Sequence, residues 1–442
     1  MSPATALRRN SDLGAALAEA RAAYAAARPR SAAQHERARE VLPGGNTRSV
    51  LIYGPFPTAM TRGQDCRLWD LDGHAYLDLC GEYTAGLFGH SEPRIHRVLH
   101  ATLEEGINLA AVGQGEERLA RLLCGRFPSL AQVRFTNSGT EANLMALAAA
   151  RAFTGRGTTM VMRGGYHGGV LTFPASGTNA ATLPLPFVHA AYNDSDEAAR
   201  LARAHAGDLA AVVVEPMLGS GGCIPAQPGF LAALRALADE TGAVLIFDEV
   251  MTSRMSGGGM QARLGITPDM TTLGKYVGGG MSFGAFGGRA DIMAQFDTTL
   301  PHAGTFNNNV LTMAAGGVAM GEIFTPEAAE ALFQRGEALR ARLNEIGRQA
   351  GVPLGFTGLG SMMTAHFRQP LPDRPYAASP AEEALRELFF FDMLAAGIYL
   401  ARRGMVALSL PVGEPEMDRF VAAVGEFAES RAALLRAGGI AG

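Results

Sequence analysis

The sequence predicts an α/β protein: a large unit built on a mostly parallel β-sheet covered by helices, followed by a smaller α+β unit. Three observations carry this. From about residue 133, short apolar runs alternate with helical patterns, the rhythm of βαβ units. Runs such as LAAVVV and AVLIF have no polar face, so both sides of their sheet must be covered. After Phe324 the texture changes to long amphipathic helices separated by single strands.

Taken in order, residues 1–30 are rich in Ala and Arg, and Asp12 and Glu19 speak against a transit peptide. The stretch reads as an amphipathic helix. Residues 67–79, RLWDLDGHAYLDL, alternate around Asp72-Gly73 and predict a β-hairpin leading into the main body. VRFTN is then a short buried strand, and 138–155 a helix opened by a Ser or Asn cap and closed at Gly155. TTMVMRG is a strand, LAAVVVEPM another, 229–242 a helix, and AVLIFDEV a further buried strand. Beyond Phe324 the pattern gives a helix over 325–351, a strand SMMTAHF, a helix over 379–397, a strand VALSLP and a final helix over 415–438. The expected division is residues 1–70 packing with the small unit, 71–325 as the large ligand-binding domain, and 326–442 as the small domain.

Composition narrows the function. A formal charge of −4 argues against a broad nucleic-acid or polybasic membrane surface. No apolar run approaches the roughly 18 residues that span a bilayer. Cys66, Cys80, Cys124 and Cys223 show no CxxC spacing and read as reduced thiols, which fits the cytoplasm. The ten histidines show no HExxH or similar metal cluster. Small-molecule chemistry is what remains.

In an open parallel sheet, ligands collect beyond the carboxyl ends of the strands, and three groups stand at such ends. Asn137-Ser138-Gly139-Thr140 follows VRFTN and offers hydroxyls and backbone N–H groups at a helix N-terminus, suited to an anion. Taken alone, simple helix capping is the plainer explanation. Asp248-Glu249 ends a buried strand, where a carboxylate needs a cation or donors; an ion pair alone would satisfy it. Tyr166 and His167 lie between glycines in GGYHGG, where simple packing is the plainer explanation.

Lys275 changes the weighting. It is the only lysine in a chain with 37 arginines. Arginine supplies charge, but a desolvated lysine alone among the two can lose its proton and attack a carbonyl. Survival by chance is the alternative. A phosphate cradle, a buried carboxylate, an aromatic plate and a reactive lysine together match the needs of pyridoxal phosphate.

With NSGTEAN, GGYHG, VVVEPM, IFDEVMTSR, PDMTTLGKYVGGG and GTF in place, the chain resembles the class III pyridoxal-phosphate aminotransferases of fold type I over nearly its whole length. The resemblance implies that Ser138, Gly139 and Thr140 bind phosphate, Tyr166 stacks on one face of the ring and Val250 presses on the other. It implies that Asp248 pairs with the ring nitrogen, Glu215 lies near the cofactor and Lys275 carries it. Thr305 would reach the phosphate of a neighbouring subunit, implying a homodimer with shared active sites.

Two groups within this class look similar: aromatic β-amino acid (β-phenylalanine) aminotransferases and glutamate-1-semialdehyde aminomutase. The aminomutase pattern has Ser-Gly-Asn-Pro after the GT, whereas this chain has Phe306-Asn307-Asn308-Asn309-Val310. PGGNTRSVLIYGPFP and GEYTAGLFGHS resemble the β-amino acid enzymes. By that likeness Arg48 takes the substrate carboxylate, Tyr83 lines the pocket and Arg403 lies near its other side. The implied reaction moves an amino group from a β-amino acid to an α-keto acid by a ping-pong route, with small molecules as its partners. An isomerase using the same cofactor, and a non-catalytic binding protein on the same fold, are the competing readings.

Overall fold

The computed structural model describes residues 12–439 of the chain. At its centre is a seven-stranded sheet. In chain order its strands are β1 (Gln132–Thr136), β2 (Thr158–Met162), β3 (Phe187–Ala190), β4 (Leu209–Val214), β5 (Val244–Asp248), β6 (Met270–Gly274) and β7 (Gly284–Gly288). Across the sheet they run β1-β7-β6-β5-β4-β2-β3, and only β7 is antiparallel to its neighbours.

The two-residue period of the strands sorts their side chains onto two covered faces. Val212, Val214, Leu245 and Phe247 pack with Phe230, Leu231 and Leu234 of the helix Phe230–Thr241. Ala211, Val213, Val244 and Ile246 point the other way, against Ala142, Ala146 and Ala150 of the helix Gly139–Thr154. Every residue of β4 and β5 is buried, which is why both read as unbroken apolar runs. Burying each larger side chain contributes about 1.5–3 kcal/mol, so these two layers hold the sheet rigid beneath the site.

Strands β3, β6 and β7 are not among those the periodicity predicts. GAFGG has little β-propensity, yet β7 demands it. A Cβ on Gly284 would stand 2.1 Å from the Ser138 carbonyl oxygen, and one on Gly287 would stand 2.3 Å from the Gln132 carbonyl oxygen. Glycine lets this strand lie against the turn that opens the helix Gly139–Thr154.

The second unit has a three-stranded antiparallel sheet of Gly355–Leu359, Met362–His366 and Met405–Ala407, with helices Pro326–Ala350, Pro380–Ala395 and Glu414–Ser430. The hairpin of Arg67–Asp70 and Ala75–Asp78 forms as the turn residues predict, and Ile398–Tyr399 adds to it in parallel. A boundary after residue 70 therefore falls inside this hairpin. Two helices are broken where one was expected. The N-terminal one is Leu13–Ala27 followed by Pro29–Arg39, because Pro29 lacks an N–H and Arg28 is non-helical; residues 1–11 lie outside the described part. The last is Glu414–Ser430 followed by Ala432–Gly438, turning at Arg431, whose guanidinium holds Asp392 at 2.9 and 3.1 Å.

Among the described residues no helix is long and apolar enough to cross a membrane, and no group of His, Cys, Asp and Glu could hold a metal ion. The four cysteines are unpaired.

Candidate active site

Five parallel strands end in the residues that matter. Ser138 follows β1, Tyr166 and His167 follow β2, Glu215 follows β4, Asp248 ends β5, and Lys275 follows β6. All of them line one cavity of about 290 Å³, with Gly139, Thr140 and Val250. Five separate loops of sequence are thus brought to one place by the common direction of the strands.

Its first wall is the start of the helix Gly139–Thr154. Ser138 is the N-cap, its Oγ accepting the Glu141 N–H at 3.2 Å, and the next N–H groups have no carbonyl partner within the helix. Thr140 Oγ1 accepts the Gly169 N–H at 3.2 Å, tying this turn to the loop after β2. A Cβ on Gly139 would stand 3.0 Å from a Val250 methyl, so a side chain there would push Val250 into the cavity. The bare turn and the helix dipole together suit an anion such as phosphate.

Asp248 is held by three donors. Its Oδ2 accepts from Asn143 Nδ2 at 2.9 Å and faces His167 Nδ1 at 2.8 Å, while its Oδ1 accepts the Val250 N–H at 3.0 Å. Thr272 Oγ1 donates to Asn143 Oδ1 at 3.0 Å, which fixes the amide so that its nitrogen faces Asp248. Burial alone would lower the pKa of His167, but the hydrogen bond and charge of Asp248, with Glu215 behind, raise it. Glu249 turns the other way: wholly buried, it accepts the N–H groups of Met260 and Gln261 at 2.6 and 3.0 Å. Of the pair at the end of β5, one carboxylate serves the cavity and the other braces the chain behind it.

Lys275 is held with φ of +55°, a left-handed conformation that a non-glycine residue adopts only where its surroundings impose it. Burial pushes its pKa down to about 8; the carboxylates of Asp248 and Glu215 oppose this, and the charges of Arg403 and Arg48 add to it. Glu215 accepts the Tyr166 and Gly219 N–H groups at 2.9 Å each, and its own pKa is pushed up by burial and by Asp248, with His167 opposing. An amine with its pKa pushed down to about 8 therefore shares with a fixed carboxylate a cavity that has an anion-binding wall.

Of the expected substrate residues Arg48, Tyr83 and Arg403, none lines this cavity; Tyr83 lines a separate one of about 460 Å³. Arg48 and Arg403 lie 5.2 and 5.3 Å from the centroid of the same ring, Tyr83, within the range of cation–π attraction. Tyr166 is 40% exposed and lines both the main cavity and a second one of about 250 Å³ that Arg403 also lines. Thr305 is exposed and does not line the main cavity of its own chain.

These residues fit pyridoxal phosphate by their chemistry, since the site offers an amine for its aldehyde, a carboxylate for its ring nitrogen and N–H donors for its phosphate. Residues 52–411 match the family Aminotransferase class-III. The chain belongs to that family. Its members depend on pyridoxal phosphate, and this aminotransferase acts on small-molecule amino donors and keto acceptors. It is 52% identical to the β-phenylalanine transaminase of Variovorax paradoxus over 95% of this chain and 97% of that one. A solved structure of a β-phenylalanine aminotransferase from Variovorax paradoxus superimposes with a TM-score of 0.94, covering 96% and 99% of the two chains. A glutamate-1-semialdehyde aminomutase from Pseudomonas aeruginosa shares the fold, with a TM-score of 0.86 at 23% identity and coverage of 96% and 98%.

Sequence reasoning did not assign roles to Asn143 and His167, although both lie inside quoted motifs. Their signal is weak: a polar residue inside a buried helix face and a histidine beside a strand end have meaning only once Asp248 is seen between them. Glu82 was not singled out at all.

Proposed function

We propose that this aminotransferase moves the amino group of an aromatic β-amino acid, such as β-phenylalanine, to an α-keto acid by a ping-pong mechanism. The observation that carries this is the pair Arg48 and Arg403 around Tyr83, whose charges reach Lys275 and lower its pKa, in a chain 52% identical to a β-phenylalanine transaminase. In a β-amino acid the carboxylate lies one carbon farther from the amine-bearing carbon than in an α-amino acid. A guanidinium outside the cavity that Lys275 lines suits that reach, and it binds a carboxylate through two parallel N–H groups.

The bound cofactor supplies an aldehyde that takes up an amine and a protonated ring that draws electrons from the substrate carbon. The chain supplies the rest. Ser138, Gly139 and Thr140 hold the phosphate at the helix N-terminus. Asp248, fixed by Asn143, His167 and the Val250 N–H, would pair with the protonated ring nitrogen. Tyr166 and Val250 confine the ring from its two faces, and Glu215 fixes the backbone at Tyr166. Lys275 would tether the cofactor through its amine, and once freed its Nζ would serve as the base for the proton on the amine-bearing carbon. Arg48 holds the carboxylate of the β-amino acid through the donor half of the cycle, and Arg403 receives a carboxylate from the other side in the acceptor half.

The functional unit is a homodimer, with Thr305 of one chain completing the phosphate site of the other. Supporting this, Ile107, Leu109, Val112 and Phe306 are all exposed, and Asn308 Nδ2 donates to the Ala111 carbonyl at 3.2 Å, joining their two segments into one apolar patch.

Product analysis tests the reading. With 3-amino-3-phenylpropanoate and an α-keto acid, a transaminase forms the matching amino acid and the β-keto acid, or its decarboxylated ketone, in equal amounts. Return of the amine within the donor molecule would mean an isomerase instead.

A further inference from the structure

Arg48 already has an anionic partner. Its Nη1 is in direct contact with Glu82 Oε1, as both a hydrogen bond and an ion pair. Glu82, Tyr83 and Thr84 have φ of 47°, 53° and 83°, in the left-handed region that non-glycine residues avoid. The surroundings hold this bend in place. Asp78 Oδ1 accepts the N–H groups of Cys80 and Gly81 at 2.9 and 3.0 Å, the Gly86 N–H donates to the Gly81 carbonyl at 2.8 Å, and the Tyr83 hydroxyl donates to the Val50 carbonyl at 3.4 Å. The bend presents Glu82 to Arg48 while its neighbour Tyr83 lies against both arginines.

We propose that Glu82 is a specificity-determining residue, a built-in carboxylate that competes with the substrate's own carboxylate for Arg48. This rests on the reading of Arg48 as the substrate anchor. A guanidinium neutralised by one carboxylate attracts a second one less, because the two negative charges then repel across a few ångströms. Substrate carboxylates must share Arg48 with Glu82 or displace it, whereas an amine without a carboxylate leaves the pair intact. In a ping-pong cycle the keto acid product must leave this anchor before the acceptor can occupy the pocket, and the competing Glu82 eases that release.

The test uses the holoenzyme and Glu82→Gln, which keeps a hydrogen-bonding group of the same size beside Arg48 and removes the charge. 3-Phenylpropanoate has the carboxylate and the ring but no amine, so its binding can be read by calorimetry without turnover. Glu82→Gln is expected to bind it about five- to tenfold more tightly than wild type, as removal of one repelling charge near a partly exposed site would give. The selectivity for 3-amino-3-phenylpropanoate over 1-phenylethylamine, as a ratio of kcat/KM, rises by a similar factor, mainly through KM. A merely structural role for Glu82 could not tighten binding. Unchanged or weaker binding in Glu82→Gln, with Arg48→Gln weakening it strongly, overturns the proposal and leaves the anchor standing. If Arg48→Gln binds 3-phenylpropanoate as well as wild type, the anchor reading falls and the proposal with it. Should Glu82→Gln fail to fold or to load cofactor, Glu82→Ala serves with the same expected direction.

Discussion

His167 Nδ1 lies 2.8 Å from Asp248 Oδ2, and both side chains are buried at the carboxyl end of the central strands. The carboxylate raises the pKa of the histidine against the effect of burial, and the histidine in turn fixes the direction in which the carboxylate points. Asp248→Asn keeps the size and removes the charge. It is expected to lower kcat by about 10²–10⁴-fold, in the range ascribed to a positioned proton-transfer group. The same change lowers the pKa of His167, which an NMR titration of the histidine ring reads directly. An unchanged kcat would show that Asp248 does not govern the ring nitrogen.

Lys275 must be neutral to attack the cofactor aldehyde. With its pKa pushed down to about 8, the rate at which stripped enzyme takes up pyridoxal phosphate should rise with pH and level off above about 8. An ordinary lysine, with a pKa of about 10.4, would keep accelerating to well above pH 9. Stopped-flow absorbance between pH 6 and about 10 separates the two. Lys275→Arg, always protonated, should neither form the coloured adduct nor transaminate.

Arg48→Gln should raise KM for 3-amino-3-phenylpropanoate by about 10–100-fold while changing kcat far less, because a carboxylate grip is kept from bound substrate to transition state. Steady-state kinetics at saturating α-keto acid measure it. A fall in kcat with unchanged KM would assign Arg48 to the chemical step and not to binding.

Gly284→Ala places a methyl 2.1 Å from the Ser138 carbonyl oxygen, a backbone atom that cannot turn aside. The expected loss is about 1–3 kcal/mol of stability, seen as a lower midpoint in denaturant, with the turn that opens the helix Gly139–Thr154 disturbed as well. Weaker cofactor retention should accompany it.

The sheet's interior was legible because β4 and β5 are apolar on both faces, and few other structures bury such short runs. What periodicity could not show was β7, since GAFGG is chosen for close approach and carries no strand signal of its own. Lys275 was legible for an unusual reason: the chain uses arginine everywhere else. The loops after the strands announced themselves through Ser138, Tyr166, Glu215 and Asp248, but only as separate fragments. Asn143 and His167 act through Asp248, from a helix and a loop far from it in sequence, so their roles exist only in three dimensions. Glu82 belongs to the same class, visible only when the strained turn at 82–84 is seen to aim it at Arg48.

The most direct measurement is the half-reaction in the absence of acceptor. Purified yellow holoenzyme is mixed with 3-amino-3-phenylpropanoate, and the visible absorption of the bound cofactor is followed. A β-amino acid transaminase bleaches, and an α-keto acid restores the colour. No bleaching with this amine, together with bleaching by 4,5-diaminovalerate, would contradict the account and assign the site to an aminomutase.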